Sequence, residues 1–190
     1  MKLTCPNRCR IFFSRGMYIY LGISILLIPI RLFIAMCISA IVHELFHILA
    51  MKLCGIPVYS VRISPLGAAI HAQMMTQFQE LICSLAGPLG ALTLLLFAKR
   101  IPLIALCAFF QTIYNLIPVY PFDGGRALRC LFHLILPQCA AEVLFAAVEK
   151  LTFGVIIVAA IYVVFHYRLG ILPILLAAFP LLENKNSLQR

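Results

Sequence analysis

Charge is what this sequence has least of. Of 190 residues only 11% are Asp, Glu, Lys or Arg, against about a quarter in an average soluble domain. Six of these are acids, and Asp123 is the one Asp. The chain also lacks internal repeats, low-complexity tracts and any polar stretch long enough to be an appended soluble domain. What it has instead is apolar side chains, 64% of the total, and a mean hydropathy of +1.06. A chain of this length has too much surface for its volume to hide so much apolar matter in one core, which excludes a water-soluble globule. Hydrocarbon must cover the outside, and the length suits six spans of roughly 20 residues each.

The net charge is +9, yet the fifteen Lys and Arg sit singly or in pairs between apolar runs. A basic patch interleaved with aromatics is absent, so the charge points away from nucleic acid. With both termini in the cytoplasm, eleven basic residues fall inside and Arg31, Lys99, Arg100 and Arg168 fall outside. That asymmetry is the one the positive-inside rule demands. Six of the eight Cys lie in apolar or span-flanking segments, where Cys acts as a small hydrophobe. Cys5 and Cys9 form a C-x3-C pair, a weak signal for a metal or a disulfide.

The expected fold is an all-α polytopic membrane protein with a short membrane-associated β-hairpin after the second span. Residues 1–16 form a basic cytoplasmic N-terminus, 17–182 a single intramembrane domain and 183–190 a polar tail. The spans are expected at 17–30, 32–54, 80–98, 103–117, 151–166 and 169–182, with 139–150 a more polar linker helix. Gly55-Ile56-Pro57 is a combination that ends helices, here the second span. The stretch 56–72 carries the β-branched and aromatic run PVYSVRI, a Pro65-Leu66-Gly67 turn and AAIHA, which read as paired strands. Tyr18, Tyr20, Tyr162 and Tyr167 suit the aromatic belts of the two interfaces.

Acids are costly in hydrocarbon, so each of the six needs a reason to be there. Glu80, Glu142, Glu149 and Glu183 read as interfacial residues. Glu44 and Asp123 do not. Glu44 stands within His43-Glu44-Leu45-Phe46-His47, towards the inner end of the second span. Residues i and i+4 share a helix face, so both imidazoles can bind one zinc ion. Glu44 lies about 100° round the helix, within reach of a water beside that metal. A catalytic zinc has three protein ligands and an open position, so a third donor is required at similar depth. Asp123 is the candidate, at the end of Asn115-Leu-Ile-Pro118-Val-Tyr-Pro121-Phe-Asp123-Gly124-Gly125. The competing reading makes Asp123 the cap of a helix beginning near Gly125.

These residues carry a resemblance. The sequence looks like the site-2 protease family of intramembrane zinc metalloproteases, and most like its minimal bacterial branch near the stage IV sporulation protein FB. His43 to His47 match the family's HExxH motif, Asn115 to Gly124 its N-x-x-P-x-x-P-x-D-G motif, and Ala86-Gly87-Pro88-Leu89 its third-span segment. Two departures stand out: Phe46 where the family often has Gly, and Ala91 where it commonly has Asn. The resemblance implies that His43, His47 and Asp123 bind zinc and that Glu44 is the general base. Asn115 is a candidate for binding substrate backbone or the oxyanion, or for a helix–helix hydrogen bond. His71 reads as an interfacial histidine or a transient ligand.

The expected function is hydrolysis of peptide bonds in or near the transmembrane segments of membrane-tethered proteins, such as a transcription factor precursor or an anti-sigma factor. The expected location is the cell membrane, with the active site towards the cytoplasm. A metal ion transporter and a catalytically inactive pseudoprotease are the rival readings.

Overall fold

A computed structural model describes residues 10–13, 15–64, 67–72 and 74–167. The expected sixth span, the polar tail, Cys5 and Cys9 lie outside the described residues. The elements are β1 (Arg10–Phe13), α1 (Arg15–Leu27), α2 (Ile30–Leu53), β2 (Val58–Ser64), β3 (Gly67–Ala72), α3 (Gln77–Leu92), α4 (Pro102–Asn115), α5 (Asp123–Ile135) and α6 (Gln138–Tyr167). A 3-10 turn over Thr93–Phe97 continues α3. The chain divides into two compact units, Met1–Tyr114 and Asn115–Arg190.

Within the first unit, α2 is inside-out by the standard of soluble proteins. Its buried face carries Ala35, Ser39, His43, His47 and Ala50, spaced three or four residues apart, whereas Ile34, Ile38, Ile41, Leu45, Leu49 and Leu53 are exposed. Small and polar residues inside with Ile and Leu outside is the arrangement expected when the surrounding solvent is lipid. Among the described residues, three helical stretches are long and apolar enough to cross a bilayer: Ile30–Leu53, Gln77–Phe97 and Gln138–His166. The protein is a membrane protein.

The described helices differ from the six expected spans. α1 has 13 residues and α4 has 14, both short of the roughly 20 needed for a straight crossing. The linker helix and the fifth span are one continuous helix, α6, of 30 residues. Glu142, Glu149 and Lys150 interrupt its hydrophobicity, but no Pro stands within it to break the backbone ladder.

α2 ends in a Schellman motif. Gly55 takes φ +71°, its N–H donates to the Lys52 carbonyl, and the Ile56 N–H donates to that of Met51 at 2.9 Å. Ile56 and Met51 are then buried together with Ala50 and Cys83, the hydrophobic contact typical of this motif. β2 is the middle strand of a three-stranded sheet, antiparallel to β3 and parallel to β1. The basic N-terminal segment therefore contributes a strand, for which its four-residue length gave no periodic signal. α3 starts with a capping box in which the Thr76 hydroxyl accepts from the Gln79 N–H and the Gln79 side chain accepts from the Thr76 N–H.

α3 packs against α2 through its glycines. A side chain at Gly90 would overlap the base of the Phe46 ring, and one at Gly87 would overlap the His47 ring. Phe46, the departure from the family pattern, is thus accommodated by Gly90 on the facing helix. Two polar links tie α4 into the same unit. Ser39 Oγ donates to Gln111 Oε1 at 2.6 Å, and Thr112 Oγ1 donates to the Pro88 carbonyl at 3.3 Å. In lipid such bonds replace the hydrophobic drive that is missing between helices.

Two expected outcomes follow from this packing. Gly55→Ala forces a Cβ into the left-handed region and costs about 1 kcal/mol, read as a lower unfolding midpoint in detergent. Gly90→Ala overpacks against Phe46 and costs about 1–3 kcal/mol, and Phe46→Ala in the same chain recovers most of it. Strictly additive losses in the double variant would refute the Phe46–Gly90 contact.

Candidate metal centre

His43 and His47 lie one helical turn apart on the buried face of α2, 3% and 6% exposed. Their rings meet edge to face, with centroids 4.7 Å apart and Nε2 atoms 3.1 Å apart. Two imidazole nitrogens sharing a tetrahedral zinc stand about 3.3 Å apart, since each Zn–N bond is about 2.0–2.1 Å. The pair therefore has the spacing of two ligands on one ion.

α3 fixes the second ring. His47 Nδ1 lies 2.7 Å from the Cys83 carbonyl oxygen, an acceptor, so Nδ1 carries the proton and donates. In the neutral imidazole this leaves the Nε2 lone pair free to ligate, the usual way a metal-binding His is oriented. Pro88, inside α3 and five residues after Cys83, has no N–H for the Ser84 carbonyl and loosens the ladder at that turn. Gly87 lies against the Nε2 side of the ring, where a Cβ would overlap it. The Ala86-Gly87-Pro88 segment thus has two tasks, a close helix approach and an aligned imidazole.

In the second unit, Asp123 is the first residue of α5 and is 8% exposed. Phe122 is the N-cap, so Asp123 stands inside the first turn rather than in the capping position. The glycines that follow have a steric reason. A side chain at Gly124 would overlap the Leu116 carbonyl, and one at Gly125 the Val119 carbonyl. The loop from Leu116 to Phe122 folds back directly over the start of α5, and only bare backbone fits beneath it.

Among the described residues, one group of His, Cys, Asp or Glu could hold a metal ion: His43, His47 and Asp123. All three are buried. Two imidazoles and a carboxylate form a donor set suited to zinc. Glu44 is half-buried next to His43. Asn115 is the last residue of α4, half-buried, eight positions before Asp123. His71 lies on β3 opposite Ser60, away in sequence from both motifs.

Sequence reasoning missed three polar contacts. The Cys83 carbonyl orients His47, and a main-chain acceptor leaves no mark in a sequence. Glu142 and Glu149, read as interfacial, are both engaged by the second unit. Glu142 Oε1 accepts from Arg129 Nη2 at 2.6 Å and lies 2.9 Å from His133 Nε2, and Glu149 Oε1 accepts the Tyr120 N–H at 3.0 Å. Their spacing of seven, two turns of one helix face, was the available signal.

No protein-family model matches the sequence. A zinc metalloprotease from Methanocaldococcus jannaschii is 28% identical over 143 residues, which is 66% of this chain. The chain spans 42% of the length of that curated relative. The solved structure of a site-2 protease from Methanocaldococcus jannaschii superposes with a TM-score of 0.61 at 22% identity, covering 95% of this chain and 89% of that one. The fold is therefore that of a site-2 protease, and the two likenesses together support the site-2 protease family that the motifs of this chain resemble.

Proposed function

We propose that the chain is an intramembrane zinc endopeptidase that cleaves membrane-tethered proteins in or near their transmembrane segments. The buried His43, His47 and Asp123 group carries this reading. Two buried histidines on an apolar helix, with a buried aspartate, are expensive unless they hold an ion, and the Nε2 spacing of 3.1 Å fits one. The matched metalloprotease and the site-2 protease fold point to the same chemistry.

A zinc ion in such a site supplies Lewis acidity towards water and the scissile carbonyl. The rest falls to the protein. His43 and His47 would hold the ion through Nε2, the latter kept in its tautomer by the Cys83 carbonyl, and Asp123 would supply a carboxylate oxygen. Glu44, half-buried beside His43, takes the proton of the attacking water on a carboxylate oxygen and delivers it to the leaving amine nitrogen. Burial of the three side chains keeps bulk water from the reacting atoms. Asn115 binds substrate backbone near the loop that leads to Asp123.

A helical substrate resists attack because its carbonyls are bonded internally, so it must be extended locally. The sheet offers a place for this. β2 is covered on both sides, which leaves β1 and β3 as edge strands, and we assign the added strand to the β3 edge. The topology adopted is N-in and C-in, with the centre towards the cytoplasmic face. The sporulation branch resemblance points to a membrane-tethered transcription factor precursor or anti-sigma factor as substrate.

Three outcomes test the proposal on protein purified from membranes. Glu44→Gln retains zinc at the wild-type stoichiometry, while cleavage of a membrane-tethered reporter falls by about 10²–10⁴-fold. Cleavage that survives this change refutes the assignment of Glu44, and metal flux without cleavage by the wild type would favour a transporter. Gly87→Ala pushes on the His47 ring and weakens zinc binding by about 10-fold or more, read by chelator competition. Ala69→Pro in β3 lowers turnover with zinc content intact, and unchanged turnover removes the strand-edge role.

A further inference from the structure

The described surface offers an apolar groove between the starts of α2 and α4, the stacked Tyr162 and His166 pair, and the two acids of α6. The acids lead furthest, because the structure ties one of them to the loop that delivers a proposed ligand.

Glu149 and Phe153 are one turn apart on α6 and grip the same loop by different means. The Glu149 carboxylate accepts the Tyr120 N–H at 3.0 Å. Phe153, 8% exposed, is buried with Val119 and Phe122, which flank Tyr120 and Pro121. Val119 is fully buried at 0% exposure. The loop so gripped rests on Gly124 and Gly125 with no room for a side chain beneath it. A shift at Tyr120 is therefore passed through backbone contact to the first turn of α5, where Asp123 stands. Two turns earlier on α6, Glu142 holds Arg129 and His133 near the far end of α5. One acid secures the end of α5 that bears Asp123 and the other secures the opposite end.

We infer that Glu149 is a positioning residue for the metal centre: by holding the Tyr120 N–H it fixes the loop over Gly124 and Gly125 and so aims the Asp123 carboxylate. The inference rests on the zinc reading above. It gives a role to a half-buried acid in the polar turn of α6. Residues that orient metal ligands typically change metal affinity by 10–100-fold when removed, without themselves touching the ion.

The test is zinc affinity, measured by chelator competition on full-length protein in detergent, alongside the unfolding midpoint of the metal-stripped protein. Glu149→Ala removes the acceptor and weakens zinc binding by about 10-fold or more. Glu149→Gln keeps an oxygen able to accept from Tyr120 and restores affinity to within about 2-fold of wild type, a rescue that separates the hydrogen bond from the charge. Glu142→Ala, at the other end of α5, lowers the unfolding midpoint and leaves zinc affinity within the same range. Wild-type affinity in Glu149→Ala overturns the inference, as does an equal loss in Glu142→Ala, which would mark a general loosening of α5 against α6. If Glu149→Ala does not accumulate, Glu149→Met keeps the volume, drops the acceptor and is read by the same two outcomes. A wild type that binds no zinc would refute the metal centre itself, a result distinct from either.

Discussion

The structure depends on the burial of two imidazoles in a predominantly apolar helix. In lipid, Ile and Leu gain little from burial against protein, so α2 turns them outward and keeps Ser39, His43 and His47 inside. This polar stripe has to be satisfied by neighbours: Gln111 of α4 meets Ser39, and the Cys83 carbonyl of α3 meets His47. Helix packing in the first unit is therefore organised around the same residues that form the metal group. Packing and the two candidate histidine ligands share one face of one helix.

That sharing explains why α3 carries residues that weaken a helix. Pro88 removes a backbone donor, and Gly87 and Gly90 have less helical propensity than Ala. In exchange α3 comes close enough for its backbone to reach His47 and for Phe46 to fit over Gly90. The second unit makes a similar exchange. Gly124 and Gly125 open the first turn of α5 to the loop before it, which is clamped from α6 by Glu149 and Phe153.

The candidate metal group was legible in the sequence where it rests on spacing. His43 and His47 announce themselves because i and i+4 share a face, and Asp123 because a lone acid after a Pro-punctuated approach has few other uses. The end of α2 was legible at Gly55 because only a residue without a Cβ closes a Schellman motif cheaply. Contacts made across the fold were not. Glu142 and Glu149 looked interfacial because their partners, an Arg–His pair and a backbone N–H, come from other elements. The continuity of α6 was hidden by its polar turn, since hydropathy marks solvent contact whereas helix ends are set by caps and breakers. The departure at Phe46 looked like a weakness until Gly90 stood opposite it.

The central claim is that one ion is held by His43, His47 and Asp123, in a chain whose eight cysteines offer rival ligands. X-ray absorption at the zinc edge of the purified protein reads the donors directly. The account predicts two imidazole nitrogens and oxygen donors at about 2.0–2.2 Å, with no sulfur. A sulfur shell near about 2.3 Å, or an imidazole contribution that survives replacement of both histidines, would contradict it.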